Sequence, residues 1–262
     1  MEKFVLIDGH SILNRAFYGV PVFTNSEGTY TNAVFGFLNI LFKLIDEEQP
    51  DYLAVAFDVH QPTFRHEMYK EYKGTRKPMM PELREQVPLI KEVLHTMNIT
   101  TVELPGYEAD DVIGTLSKRG EKDGLDVYVY SGDRDLLQLA SENIMICIPK
   151  TKKGQTTVER YKPEDVKDLY KVTPVEFIDV KALMGDSSDN IPGVPGIGEK
   201  GATAIISQFG SIENAFQHAE EIANTRNKNA LLEHYDMAQM SKTLATINID
   251  SPVTVSPKEC VL

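Results

Sequence analysis

"DYLAVAFD", residues 51–58, is a short unbroken apolar run that ends on an acid. "KFVLIDG" (3–9) has the same form, and "ITTVEL" (99–104), "LDVYVYSGD" (125–133) and "NIMICI" (143–148) are further strand candidates. Continuous apolar runs of this length belong to strands buried on both faces. Helical patterns lie between them: residues 32–47, with Val34, Phe37, Leu38, Leu41, Leu44 and Ile45, then about 84–97, 108–119 and 133–140. Strands alternating with helices predict an α/β fold, a parallel-sheet core covered by helices. After about residue 172 the chain turns helical around a Gly/Pro-rich centre, "GDSSDNIPGVPGIGEKG" (185–201). Two units are expected, 1–172 and 173–262.

The 262 residues are 42% hydrophobic and 25% charged, as in ordinary globular proteins. Cys147 and Cys260 lie far apart, without disulfide-framework or zinc spacing. The N-terminal apolar run is too short for a signal peptide, and no stretch approaches the roughly 18–20 apolar residues of a membrane span. The expected location is the cytoplasm. A net charge of −12 speaks against a uniformly basic nucleic-acid surface, yet the charge is uneven. Residues 65–91 hold seven basic side chains (Arg65, Lys70, Lys73, Arg76, Lys77, Arg84, Lys91) against four acids, interleaved with Tyr69 and Tyr72. A solvated helix face would read the same way.

The acids are placed more tellingly. Asp8, Asp58 and Asp133 each end a predicted strand, and Asp135 follows two residues on. In "GYEADDVIG" (106–114), Glu108, Asp110 and Asp111 open a helix whose apolar stripe is Ala109, Val112, Ile113 and Leu116. The helix dipole alone would favour acids there. Three strand ends and a helix start delivering acids to one sheet edge go further, because that edge is where α/β sheets build sites. So many carboxylates cannot share a cleft unpaired. An all-oxygen set suits Mg²⁺ or Mn²⁺, and two such ions about 3.5–4 Å apart form the clamp of in-line phosphodiester hydrolysis. Asp186 and Asp189 precede Gly196-Ile197-Gly198-Glu199-Lys200-Gly201, which spells G-x-G-x-x-G. A dinucleotide fingerprint should follow a strand; this one follows Pro192 and Pro195. A hairpin between two helices, its glycines letting backbone N–H groups approach a phosphate, fits better.

Several long stretches resemble the 5′-nuclease domain at the N-terminus of bacterial DNA polymerase I, in the flap endonuclease family. They are "LIDGHSILNRAF" (6–17), "FDVHQPTFRHEMYKEYKGTRKPMMPEL" (57–83), "GYEADDVIGTL" (106–116), "SGDRDLLQL" (131–139), "ALMGDSSDNIPGVPGIGEKGA" (182–202) and "LATI" (244–247). The resemblance implies a PIN-like α/β core, a helical arch over about 60–98, and a C-terminal helix-hairpin-helix module, H3TH. It implies one metal near Asp8, Asp58, Glu108 and Asp110, and a second near Asp110, Asp133, Asp135 and Asp186. Asp110 would bridge both ions, while Asp111 and Asp189 would orient ligands or metal-bound waters. Lys73 and Arg76 would approach the scissile phosphate, with Tyr72, Lys77 and Arg15 as further DNA contacts. Gly196, Gly198 and Lys200 would hold the downstream duplex, with a K⁺ ion at the hairpin. Nine site acids then account for most of the negative charge.

The implied activity is that of a structure-specific 5′-nuclease, both 5′-3′ exonuclease and 5′-flap endonuclease, removing RNA primers and flaps in replication and repair. The implied substrates are DNA with a 5′ flap, nick or 5′ end, including RNA-primed ends. A monomer continuing into a polymerase, away from membranes, is expected. One alternative is a non-catalytic DNA-structure-binding paralogue, but no metal-site position is missing. Another is an RNA-directed nuclease on a related core, which the H3TH segment disfavours. Residues 218–235 depart from the family's pattern.

Overall fold

The computed structural model describes residues 1–152 and 155–262. Its centre is a six-stranded sheet formed by β1 (Lys3–Asp8), β2 (Tyr52–Ala56), β3 (Thr100–Val102), β4 (Asp126–Tyr130), β5 (Ile144–Lys152) and β6 (Gln155–Tyr161), in the order β3-β2-β1-β4-β5-β6. The first five are mutually parallel, and β6 closes one edge antiparallel to β5. Alternate residues of the central strands feed two cores. Phe4, Leu6, Ala54, Ala56, Val127 and Val129 face α6 (Ala109–Lys122). Val5, Ile7, Leu53 and Val55 face α1 (Gly9–Gly19), α2 (Asn32–Glu48) and α5 (Gln86–Thr96). Burial on both faces is why these strands are apolar at every position. The chain winds to opposite sides from β1, so the crevice beyond the carboxyl ends of β1 and β4 is the topological switch point.

All five expected strands form, and several further elements were not foreseen. β6, "QTTVERY", is a polar edge strand without an apolar run. Helix α1 starts directly from β1 with Asp8 as its N-cap, and Ile12, Leu13, Ala16 and Phe17 form its buried face. Residues 133–140 make only a 3-10 turn over Arg134–Leu139. The expected arch holds little helix: α3 (Phe64–Met68) and α4 (Pro81–Arg84) are short, with Gly74, Pro78 and Pro81 interrupting. Helix α5 is not part of an arch, because Ile90 and Leu94 are fully buried under the sheet.

The C-terminal helices are α7 (Pro163–Tyr170), α8 (Pro174–Met184), α9 (Glu199–Phe209), α10 (Ile212–Gln217), α11 (Thr225–Glu233) and α12 (Tyr235–Ala245). Helix α8 packs against α9, α12 and the 134–139 turn. Its Val180 and Leu183 belong to the same apolar cluster as Leu136, Leu137 and the sheet residues. That shared core brings the loop after α8 to the carboxyl edge of the sheet. Gly185 at φ +72° and Gly193 at φ +63° close this loop; a Cβ on Gly185 would stand 2.5 Å from the Ile191 carbonyl oxygen. The last segment returns beneath α6, where Arg119 donates to the Ser251 and Val253 carbonyls, and Leu53 N–H donates to the Cys260 carbonyl at 2.7 Å. Among the described residues no helix is long and apolar enough to cross a membrane.

Candidate metal centre and nucleic-acid interface

Strand ends position the first acids. Asp8 caps α1, accepting from Ser11 N–H at 3.0 Å, and its other oxygen accepts from Ser131 Oγ at 2.7 Å. Ser131 Oγ in turn accepts from Asp133 N–H at 3.0 Å, and Ser11 Oγ accepts from Gly132 N–H at 2.8 Å. These bonds tie the loops after β1 and β4 together. Asp58, just past β2, accepts from Ala109 N–H at 2.8 Å, and its own N–H donates to His10 Nδ1 at 3.1 Å. Burial holds the His10 pKa below its ordinary value. The start of α6 is thereby fixed to the end of β2, with Glu108 and Asp110 beside it.

Eight of the nine expected carboxylates fall into two groups, and the ninth, Asp58, has its Oδ2 3.6 Å from His10 Nδ1. Asp135, Asp186, Glu108, Asp189 and Asp111 have cationic partners. Lys181, buried on α8, contacts Asp135 at 2.8 Å and also Asp186. Lys73 Nζ is 2.7 Å from Glu108, Arg76 pairs with Asp189, and Arg65 pairs with Asp111. Asp8, Asp110 and Asp133 make no ion pair among the described residues.

Two of the unpaired acids, Asp8 and Asp110, are raised by burial and by neighbouring carboxylates. Burial pushes the Asp8 pKa up to about 6, with Asp58 and Asp133 adding to it. Burial, then Asp133 and Asp8, hold Asp110 well above the usual carboxylate range. Burial and Asp133 push Asp135 to about 6 despite Lys181, whereas Lys181 and Ser188 draw Asp186 down to about 2 against its burial. Among the described residues no three such side chains close round a single point. The donor chemistry nevertheless fits a hard divalent cation: oxygen ligands only, with a surplus of negative charge that the protein leaves uncompensated.

The base of the basic segment docks on the loop after α8. Lys73 N–H donates to the Asp189 carbonyl at 2.8 Å, Asn190 Nδ2 to the Glu71 carbonyl at 2.7 Å, and Arg76 Nε to the Ser188 carbonyl at 3.3 Å. Lys73 sits at φ +54°, a left-handed conformation costing a lysine about 1–2 kcal/mol. It persists because both its backbone and its ammonium are bound. Burial opposes the charge on Lys73, but Glu108 and Asp189 hold its pKa above the ordinary value.

Three of the expected site residues have these surroundings. Tyr72 is only 3% exposed and gives its hydroxyl to Glu108 at 3.0 Å and Asp189 at 3.2 Å, so its ring is not offered to a base. Asp111 is fully buried and saturated by Arg65 Nη1 and Nη2, both at 2.8 Å, Glu108 N–H at 3.0 Å and Asn248 N–H at 2.8 Å. These bonds tie it to Glu108 and to the C-terminal segment. Gly198 has φ −93° and open space around its Cβ position; the left-handed residue of the hairpin is Gly196, at φ +87°. Lys77 and Lys200 are exposed and make no ion pair among the described residues. Arg15 lies half-buried on α1, where burial lowers its pKa.

Sequence reading gave no role to Arg65, His10 or Lys181. Arg65 was counted only as one charge in the basic run, yet it is 2% exposed and spends all five N–H donors: on Asp111 twice, on Glu108 at 3.3 Å, on Leu244 O at 2.9 Å and on Thr246 O at 2.7 Å. Lys181 had a legible signal, a lysine set among apolar residues in "VKALM" (180–184).

Comparison with known proteins agrees with this architecture. Residues 3–171 match the family model of the 5′-3′ exonuclease N-terminal resolvase-like domain, and residues 172–262 match that of the 5′-3′ exonuclease C-terminal SAM fold. The chain is 51% identical over 255 residues to DNA polymerase I of Bacillus subtilis (strain 168), covering 97% of this chain and 29% of that protein. With DNA polymerase I of Geobacillus stearothermophilus it shares 49% over 260 residues, covering 99% and 30%. The chain thus spans under a third of the length of these curated relatives. In fold it is similar to T5 5′-exonuclease with bound zinc ions (TM-score 0.77, 23% identity, 94% and 90% of the two chains covered). It is also similar to the catalytic core of Rad2 in complex with DNA substrate (TM-score 0.60, 18% identity, 98% and 84% covered). By these matches the chain belongs to the 5′-3′ exonuclease family.

Proposed function

We propose that this chain hydrolyses phosphodiester bonds of DNA at 5′ ends, nicks and 5′ flaps, RNA-primed ends included, with two Mg²⁺ or Mn²⁺ ions. One observation supports the reading: acids from β1, β2, β4, the start of α6 and the loop after α8 lie along the carboxyl edge of the sheet, close enough to act on one another's charge, and Asp8, Asp110 and Asp133 make no ion pair among the described residues. Asp8, Asp58, Glu108 and Asp110 would hold one ion, and Asp110, Asp133, Asp135 and Asp186 the other. When bound, such ions supply Lewis-acid activation of water and stabilisation of the leaving oxygen.

The chain's own groups do the rest. Lys73 and Arg76 stand at the rim, and an incoming phosphate competes with Glu108 and Asp189 for them. Arg65 and Asp111 keep the first turn of α6 in place. The hairpin before α9, with Gly196, Gly198 and Lys200, holds the duplex, and a K⁺ ion at that hairpin belongs to the same reading. The test is a labelled 5′-flap substrate incubated with and without Mg²⁺. Mg²⁺-dependent release of a product with a 5′-phosphate is expected; full activity in excess EDTA would overturn the reading.

A further inference from the structure

The structure brings part of residues 218–235 onto the glycine hairpin. A Cβ on Gly196 would stand 3.5 Å from Arg226 Nη2 and 3.6 Å from its Nε, and a Cβ on Gly201 would stand 2.7 Å from Asn227 Nδ2. Arg226 therefore lies against the loop and Asn227 against the first turn of α9. The first turn of α11 is itself fixed, because Asn224 caps it by accepting from Asn227 N–H at 3.1 Å.

We propose that Arg226 is a duplex-phosphate contact outside the hairpin, extending the surface that Gly196, Gly198 and Lys200 begin. This rests on the nuclease reading above. Lys228, two residues on, is committed to Glu220 at 2.9 Å, whereas Lys200 of the hairpin, like Arg226, makes no ion pair among the described residues. Arg226 is exposed and makes no ion pair or hydrogen bond among the described residues, in a chain of net charge −12. Glu199 is the acid in the adjoining first turn of α9, and it too makes no ion pair there. A planar guanidinium laid over a side-chain-free residue can meet the same phosphate that the glycine backbone approaches. The short side chain of Asn227 beside Gly201 leaves the cation uncovered.

The experiment measures binding of a nicked duplex by the chain in Ca²⁺ at several K⁺ concentrations, for the wild type, Arg226→Ala and Arg226→Lys. Each neutralised phosphate contributes about 0.9 to the slope of log affinity against log salt, roughly an eight-fold change at about 0.1 M. Arg226→Ala should weaken binding by that factor and flatten the slope by about one, with Arg226→Lys recovering the slope. A single-stranded oligonucleotide of the same sequence should respond less, because the hairpin faces the duplex. Thermal unfolding of each variant accompanies the titrations, and an exposed arginine should not shift it. An unchanged slope in Arg226→Ala overturns this inference alone. A wild-type chain that binds no duplex overturns the nuclease reading and this inference with it.

Discussion

Arg65→Met tests whether the buried network is what holds the start of α6 to the C-terminal segment. The substitution keeps most of the side-chain volume and removes five donors at once. Asp111, with no solvent exposure, loses both guanidinium bonds, and the Leu244 and Thr246 carbonyls lose their partners. Stranding one member of a buried ion pair costs about 3–5 kcal/mol. Each of the two carbonyls adds up to about 1–3 kcal/mol where water cannot reach it. A loss of about 4 kcal/mol or more is therefore expected, and at roughly 2–4 °C per kcal/mol the melting temperature should fall by about 8–16 °C. Arg65→Lys should recover only part, since an ammonium has three donors for five acceptors. Urea unfolding of Arg65→Met, Asp111→Leu and the double variant closes the cycle. The double variant should be more stable than the sum of the two losses, because the stranded charge is gone. A loss under about 1 kcal/mol in Arg65→Met, or strict additivity in the cycle, would refute the network's role.

Four further outcomes follow from the site. Lys73→Ala should lower kcat by about 10²–10³ with a smaller effect on KM; a change confined to KM would assign Lys73 to ground-state binding. Asp110→Ala should abolish hydrolysis while duplex affinity measured without divalent ions stays equal or rises, and near wild-type cutting would contradict a shared ligand. Gly196→Val should cost about 1–2 kcal/mol and weaken duplex binding, because its φ of +87° resists a β-branched residue, whereas Gly198→Ala should change stability by less than about 0.5 kcal/mol. In chelator, the raised pKa values of Asp8 and Asp135, about 6 against an unfolded value near 4, make the folded state bind more protons between those limits. Urea midpoints should therefore fall as pH rises from about 4 to 6, and Mg²⁺ at pH 7.5 should restore them; Asp186, depressed to about 2, acts oppositely and only below about pH 4. A midpoint that rises steadily from pH 5 to 7.5 in chelator would contradict the uncompensated cluster.

What was legible in the sequence was whatever period and position encode. Strands buried on both faces write apolar residues at every place, so the five parallel strands were readable. An acid at the end of such a strand can only stand at the carboxyl edge, which is why Asp8, Asp58 and Asp133 were found. Edge strand β6 pairs on one side only and needs no apolar run, so its sequence carried no such mark. The pattern of α1 was present, but the helix follows its strand with no intervening turn to announce it. Pairings across long sequence separations were invisible. Nothing near Arg65 says that its partners lie at 111, 244 and 246, and nothing in "YKGTR" says that Tyr72 folds inward onto Glu108 and Asp189.

Under the proposed function, the division of the acids into paired and unpaired sets would let a chain of net charge −12 receive a polyanion. The cations of the site are held at the carboxylates by bonds of two kinds. Arg65 is locked on all five donors and fully buried, so it cannot be redirected. Lys73 and Arg76 are partly exposed, and each ends at a carboxylate through a long flexible side chain. An ammonium or guanidinium of that kind exchanges a carboxylate oxygen for a phosphate oxygen at little net cost, because both are charged acceptors. Lys73 N–H to the Asp189 carbonyl and Arg76 Nε to the Ser188 carbonyl meanwhile keep the two residues at that segment. The same exchange leaves Glu108 and Asp189 with surplus negative charge beside Asp8, Asp110 and Asp133. Phosphate binding at the rim and divalent-cation binding at the carboxylates should therefore be mutually reinforcing. Linkage makes the coupling reciprocal, so a nicked duplex should raise Mg²⁺ affinity by the same factor by which Mg²⁺ raises affinity for the duplex.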